Sequence, residues 1–330
     1  MSRRESAHVF TRDDDRDHLR LLLRIARLYW IDGLDQKEVA EVVGYSRPTV
    51  SRLLAQARAR GIVTVQVSHP VEAALACETR LRSRFGLTEA AVALDRGGGS
   101  AAAVGGVAAR LIARRGGERA VVALSNGSSL SALVSAMPPQ RWPGSHVVQM
   151  IGAIAGADTD AQLVDSPELC RRLADRLGGA HRPLPVPIVV SSAAMARAME
   201  REESVRTTLE LAARADIAAC GVGAVDADGS SGRILRAYAT PAVDAEVRRG
   251  GAVAHLAGHH FDARGRHVPT SLCERLIALD PARLADVAVS LAVAWGHEKV
   301  AALHAILRTG YVNALATDEP TARALLDFRP

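Results

Sequence analysis

The 330-residue chain has little lysine and little cysteine. Only Lys37 and Lys299 occur, with arginine supplying the other basic side chains. The four cysteines, Cys77, Cys170, Cys220 and Cys273, are far apart and form no CxxC pair. That spacing has neither the density of a disulfide framework nor the pattern of thiolate metal ligands, which leaves buried free thiols as the expectation. No apolar run reaches the ~18 residues needed to cross a bilayer, so no membrane partner is expected. The N-terminus, MSRRESAHVFTRDDDRD, lacks the apolar core of a signal peptide, and a cytoplasmic location is expected.

What is present describes an ordinary globular chain, 48% hydrophobic and 23% charged. Its length suggests two or more domains. A net charge of +5 permits a polyanionic partner without requiring one. The distribution is more telling. Residues 44–66 hold Arg47, Arg52, Arg58 and Arg60 and no acid, whereas the preceding segment carries Asp13, Asp14, Asp15, Asp17, Asp32, Asp35, Glu38 and Glu41.

In the acidic segment, residues 13–17 can cap a helix over 17–31, whose Leu21, Leu22, Ile25, Leu28 and Tyr29 recur at helical spacing. Asp35 then caps a short helix over 36–43, with Val39, Val42 and Val43 inward. Gly44-Tyr45 makes a turn. Ser46 is an N-cap, Pro48 falls in the first turn of the next helix, and that helix runs to Arg60 and closes at Gly61. Val50, Leu53, Leu54 and Ala57 form its buried face. Ser46, Arg47, Thr49, Ser51 and Arg52 cluster at its N-terminal end, on or beside the opposite face. In a helix-turn-helix that end enters the major groove, where arginine binds guanine edges and hydroxyls meet bases or phosphates. A solvated helical hairpin is the plainer alternative. The alternating run 62–68 fits a strand packed on the helices or a small wing.

The stretch RLYWIDGLDQKEVAEVVGYSRPTVSRLLAQARARGIVTVQV resembles the DNA-binding domain of the SorC family of bacterial transcriptional regulators. The resemblance is continuous over about 45 residues, and SRPTVSRLL followed by RG is its most specific part.

After His69-Pro70, a helix over 73–85 leads into apolar strand candidates at 90–94, 120–124, 146–151, 188–191, 217–220, 252–256 and 287–292. Helical candidates at 101–114, 128–136, 166–177, 203–214 and 297–308 lie between them. Such alternation predicts an α/β fold with a parallel sheet covered on both faces, and ligands at the carboxyl ends of its strands. Five places there can meet an anion or a sugar. Asn126, Gly127, Ser128 and Ser129 follow a strand and open a helix, where free N–H groups suit phosphate; a simple cap is the alternative, and no GK[ST] makes it a Walker loop. Gln149 ends an apolar strand, as a ligand contact or merely a polar terminus. Gly223 allows close backbone approach. Asp262 offers a carboxylate to sugar hydroxyls, or is a solvated turn residue. Lys299 brings a compact ammonium to a strand–helix junction, suited to a point contact with phosphate or a sugar oxygen. His255, His259, His260, Asp262 and His267 lie close together, but without a helical i, i+4 scaffold they read as turn and surface residues. Neither a metal nor a cofactor is expected.

This half also resembles the SorC family, now its sugar-binding domain, in the order SNGSSLSALVSAMP, VVQMIGA, GVGAV, GGAVAHLAGHHFDARG and VAWGHEKVAALHAILRTGYVNALATDEPTARALL. The resemblance implies an all-α helix-turn-helix domain at 1–68 and a doubly wound, Rossmann-like domain at 69–330, similar to sugar-phosphate isomerases. It implies operator DNA, a sugar or sugar phosphate effector, and a homodimer or homotetramer, with Asn126–Ser129, Gln149, Asp262 and Lys299 around the ligand. The sequence departs from the family where Asn126-Gly127-Ser128-Ser129 replaces a Gly-Arg-Thr turn. It departs again where Ala254-His255 replaces Gly-Asp and where His260 replaces an aromatic residue. The competing readings are an isomerase-like enzyme with a DNA-binding appendage, for which no second acid–base partner accompanies Asp262 and Lys299, and a constitutive DNA-binding protein whose second domain only oligomerises.

Overall fold

The computed structural model describes residues 12–64, 70–94, 100–154, 163–225 and 238–329. The chain divides into two compact units, Met1–Ser68 and His69–Pro330. No helix among the described residues is long and apolar enough to cross a membrane.

In the first unit, α1 (Arg12–Trp30), α2 (Gln36–Val43) and α3 (Arg47–Ala59) close around Leu22, Ile25, Val39, Val50, Leu53, Leu54 and Ala57. Helix α1 begins at Arg12, so the acidic run expected to cap it lies within it. Helix α2 starts where expected and more firmly: the Asp35 carboxylate accepts from Lys37 N and Glu38 N, while Glu38 reaches back to Asp35 N at 2.7 Å. This reciprocal box satisfies donors that a helix start leaves open. Gly44 takes a left-handed φ of 73°, which a glycine adopts without strain, and turns the chain into α3. Val42, expected inward, is 51% exposed. Of the expected strand at 62–68, residues 65–68 lie outside the described residues. Ile62 and Val63 form no strand and instead pack on the helical core.

Among its described residues the second unit is built on seven parallel strands in the order β1-β10-β9-β5-β2-β3-β4. They span β1 (Glu89–Ala93), β2 (Val121–Leu124), β3 (His146–Gln149), β4 (Ala180–Arg182), β5 (Ile217–Ala224), β9 (Val289–Val293) and β10 (Ala314–Asp318). Alternate residues feed two cores, one on each face: Val122, Leu124, Leu291 and Val293 on one side, Ala123, Ala218, Ala292 and Leu315 on the other. That is the pattern of a sheet covered on both faces. From β2 the chain steps outward to β3 and β4, then returns and steps the other way through β5, β9 and β10. The order therefore reverses between β2 and β5, and a crevice at such a switch point is where doubly wound sheets bind ligands.

Two features depart from expectation. Beyond the sheet, β5 continues into an antiparallel meander with β6 (Ala252–Leu256), β7 (His259–Asp262) and β8 (His267–Val268). The run at 188–191, expected as a strand, makes only one isolated bridge, Val189 to Leu276. Pro183, Pro185 and Pro187 just before it have no N–H to give a ladder.

Candidate functional site

In the first unit, Ser46 caps α3 by accepting from Thr49 N at 3.4 Å, and the two side-chain hydroxyls lie 2.9 Å apart. Arg47, Ser51 and Arg52 are exposed on one face of α3, opposite buried Val50, Leu53, Leu54 and Ala57; Thr49 is half-buried. Ser46 and Thr49 thus shape the start of the helix, while the two arginines and Ser51 face outward. Arg47 also lines a cleft of about 700 Å³ with Tyr29, Leu34, Asp35, Gln36 and Lys37. The two helices, the glycine turn and this outward cationic end make a helix-turn-helix suited to a DNA groove.

In the second unit the candidate residues separate into those at the switch point and those away from it. At the end of β2, Asn126 and Ser129 are buried, and Gly127 N-caps α6 (Ser128–Ala136) with φ 114° and no capping side chain. That backbone conformation belongs almost wholly to glycine. The turn is braced from below: Gly127 N donates to Val164 O at 2.8 Å, and the Ser166 hydroxyl to Leu124 O at 3.4 Å. Asp165 fixes the brace by accepting from Ile154 N and Ser166 N, its carboxyl pushed up by burial. Asn126 Nδ2 is buried with no protein partner. A Cβ on Gly221 of β5 would stand 3.6 Å from Asn126 O and 3.9 Å from Ser129 Cβ, which places the β2 turn directly beside β5.

On β5, Gly223 pairs with His255 of β6. A Cβ at residue 223 would overlap the His255 ring, so the close approach that this glycine permits is taken by the imidazole. His255 is 4% exposed and its Nε2 has no protein partner. Burial first, then the neighbouring His260 and Lys299, push its pKa down to about 3. Lys299 follows β9 through the Gly296 turn and the short 3-10 segment His297–Lys299, at the start of α11 (Val300–Arg308). Its ammonium stands 5.6 Å from the Trp295 ring, and burial lowers its pKa against the opposing effect of Glu298. Gly296 repeats the Gly127 arrangement with φ 106°, and its N–H donates to Thr321 Oγ1 at 2.8 Å. The structure therefore gathers Asn126, Ser129, Gly223, His255 and Lys299 around the carboxyl ends of β2, β5 and β9, with Gly127 and Ser128 at the mouth of α6. His255 and Thr321 were not among the ligand residues read from sequence. Thr321 was legible through Asp318-Glu-Pro-Thr321, a helix start in which Asp318 accepts from Thr321 N at 2.9 Å.

Gln149 and Asp262 are differently engaged. Gln149 is buried at the end of β3, where its Oε1 accepts from Leu184 N at 3.0 Å and its Nε2 donates to Ile151 O at 3.4 Å. It ties down a loop. Asp262 closes the β7–β8 turn, accepting from Arg264 N and Arg266 N at 2.9 Å and from Arg266 Nε at 2.8 Å. Desolvation raises its pKa, but these bonds and the Arg266 charge together outweigh it and leave the pKa lowered. The same turn packs at Gly265 against Arg308 and Thr309, the C-terminal end of α11. Lys299 lies at the other end of that nine-residue helix, roughly 14 Å away at 1.5 Å per residue. Asp262 and Lys299 are thus not brought to one site.

A cationic helix-turn-helix joined to a doubly wound unit with a polar cluster at its switch point defines a ligand-responsive DNA-binding regulator. Comparison with known proteins agrees. Residues 69–327 match the Sugar-bind family, described as a sugar-binding domain. The chain is 30% identical over 313 residues to the erythritol catabolism regulatory protein EryD of Brucella abortus, covering 93% of this chain and 96% of that protein. It is 32% identical over 319 residues to the transcriptional regulator LsrR of an Enterobacter species, covering 93% and 92%. Among solved structures, the full-length sorbitol operon regulator SorC of Klebsiella pneumoniae superposes with a TM-score of 0.74 at 25% identity, over 94% of this chain and 100% of that one. The chain belongs to the SorC-type family of sugar-binding transcriptional regulators, and its relatives are regulators rather than enzymes.

Proposed function

We propose that this regulator reads operator DNA with α3 and is switched by a polyol, sugar or sugar phosphate held at the β2–β5–β9 junction. Arg47 and Arg52 supply base or phosphate contacts and Ser51 a hydroxyl, while Ser46 and Thr49 set the helix start. In the second unit, Asn126 Nδ2 and His255 Nε2 are the hydrogen-bonding groups, and Lys299 is the cation for a phosphate or an electron-rich hydroxyl. Ser128, Ser129 and Gly127 present the start of α6 to the same ligand. The observation that carries this reading is the pair of buried polar nitrogens on Asn126 and His255 without protein partners, beside a half-buried ammonium. Buried polar groups left without a partner are costly, and a hydroxyl-rich ligand satisfies them.

The relatives' names support a small polyhydroxylated effector: EryD is named for erythritol catabolism, and a Bacillus subtilis relative, 29% identical over 316 residues, is a deoxyribonucleoside regulator. A single α3 reads one half-site, so a homodimer or homotetramer acting in the cytoplasm on a two-fold site completes the proposal. The test is operator binding by fluorescence anisotropy across a panel of polyols, sugars and sugar phosphates, on DNA selected from a random duplex pool. One compound class should shift the apparent Kd of the wild-type protein and stabilise it thermally by mass action. Selection that enriches no sequence would overturn the DNA-reading part. An enriched sequence combined with a panel that moves neither its binding nor the melting of the protein would overturn the effector part.

A further inference from the structure

Away from both sites, the meander brings together three side chains that neither site uses. One ring nitrogen of His259, one of His267 and the sulfur of Cys273 all lie within 4.8 Å of one another. His259 opens β7, His267 opens β8, and Cys273 starts the 3-10 turn Cys273–Arg275 that follows. The antiparallel pairing of β7 with β8 sets the two imidazoles side by side, and the loop after β8 folds the cysteine back toward them.

The geometry is close to that of a bound ion. His259 Nδ1 and His267 Nε2 are 3.2 Å apart. Two imidazole nitrogens on a tetrahedral zinc, each at about 2.0–2.1 Å, lie about 3.3 Å apart. The histidine pair therefore already spans one edge of the tetrahedron. The sulfur needs to close by only about 1 Å to reach the nitrogen–sulfur edge of about 3.6 Å that a Zn–S bond of about 2.3 Å implies. Cys273 is oriented by Thr270, whose hydroxyl donates to the sulfur at 3.1 Å and accepts from Cys273 N at 3.2 Å. A hydrogen bond donated to sulfur suits a thiolate ligand, and an oriented ligand costs less to recruit. Cys273 is also the one cysteine of the four that is not buried, so an ion can reach it. The Asp280 carboxylate acts electrostatically on both imidazoles, so the local field favours a cation. Burial holds both rings toward the neutral form that binds metal.

We propose that His259, His267 and Cys273 form a binding site for a borderline transition-metal dication such as Zn2+, with a fourth position for solvent. Two imidazoles and a thiolate suit such an ion better than Mg2+ or Ca2+, which take oxygen ligands. Binding replaces the hydrogen bond between the rings, with its proton moving to the donor ring's other nitrogen, releases the thiol proton to solvent, and clasps β7, β8 and the Cys273 turn together. The clasp adjoins His260, which pairs with His255 across β6 and β7. The site replaces the surface-histidine reading of this segment for His259 and His267. It was hidden in sequence because its ligands sit on two strands and a turn, not on one helix or a CxxC knuckle.

The test uses full-length protein without a histidine tag, stripped by chelator and titrated with Co2+ and then Zn2+. The site predicts one equivalent of Co2+ with a thiolate-to-cobalt charge-transfer band, displaced by Zn2+. Cys273→Ser should abolish the band. His267→Gln, at an exposed position that leaves the fold intact by circular dichroism, should weaken binding by about tenfold or more, since even outer partners of a metal site cost that much. Cys77→Ser, at a buried cysteine outside the three-residue cluster, should change neither. Absence of the band, or a band that survives Cys273→Ser, overturns the proposal.

Discussion

Gly223 and His255 face each other across the β5–β6 pairing, and the imidazole occupies the space that a side chain at residue 223 would need. The glycine is a seat for the histidine, whose unpartnered Nε2 lies buried against it beside the switch point. Gly223→Ala should push the ring out of its seat. Overpacking of this kind costs typically about 1–3 kcal/mol, which a urea melt will register, and the effector response should fall with it. Unchanged stability and response would mean that the ring has another place to go.

The same histidine makes stability depend on acid. His255 is buried with its pKa depressed to about 3, by desolvation and by His260 and Lys299. The unfolded chain binds this proton near pH 6.5, and the folded chain does not until near pH 3. Stability is therefore full above pH 6.5 and declines as pH falls through that window, by up to one extra proton taken up on unfolding. Denaturant midpoints measured from pH 7 to pH 4.5 should fall more steeply for the wild-type protein than for His255→Asn.

The β6–β7 hairpin turns on Ala257 and Gly258, with φ of 49° and 85°. A two-residue turn with both φ positive favours Asn-Gly or Gly-Gly, and alanine in the left-handed region costs about 1–2 kcal/mol. Against the extra freedom glycine gives the unfolded chain, about 0.4–1 kcal/mol, Ala257→Gly should still stabilise by about 0.5–1 kcal/mol. Calorimetry should show the melting temperature rising by about 1–3 °C; a fall would indicate that the Ala257 methyl packs more tightly than the backbone is strained.

On α3, Arg47 and Arg52 are exposed and Ser46 holds the helix start. Arg47→Ala or Arg52→Ala should weaken operator binding about tenfold or more and leave the melting curve unchanged. If the lost contact is to phosphate, the slope of log K against log salt should also shrink by about 0.9. Ser46→Ala should instead cost about 1 kcal/mol of stability, as lost N-caps do. Equal binding by both arginine variants and the wild type would move the reading face elsewhere.

How much of this was legible in the residues differs between the two units. In the first, α2 and α3 were legible because local signals mark their ends, Asp35, Gly44, Ser46 with Pro48, and Gly61, whereas the start of α1 and the run after Gly61 were misplaced. In the second unit the helices Ser128–Ala136 and Ser166–Leu177 fell where their patterns put them. Strand β10 did not stand out: its Ala-Leu-Ala-Thr-Asp sequence lacks the β-branched richness of a strand, yet it lies buried between β1 and β9, where small residues fit. The edge strand Ala180–Arg182 is exposed and polar, and so carries no hydrophobic signature. For the site, Lys299 was marked by its rarity. For Gln149 and Asp262 the sequence left a strand-end and a turn role open beside the ligand role; their partners, such as Leu184 N and Arg266, were not readable because tertiary packing and turn geometry set them.

The central claim is that one cluster around Asn126, His255 and Lys299 controls DNA binding by α3. The most direct measurement is operator affinity with and without the effector identified by the panel, in the wild-type protein and in Asn126→Ala and Lys299→Gln variants. The account predicts that both variants bind operator as the wild type does in the absence of effector and lose the shift in apparent Kd when effector is added. A shift of wild-type size in both variants would contradict it.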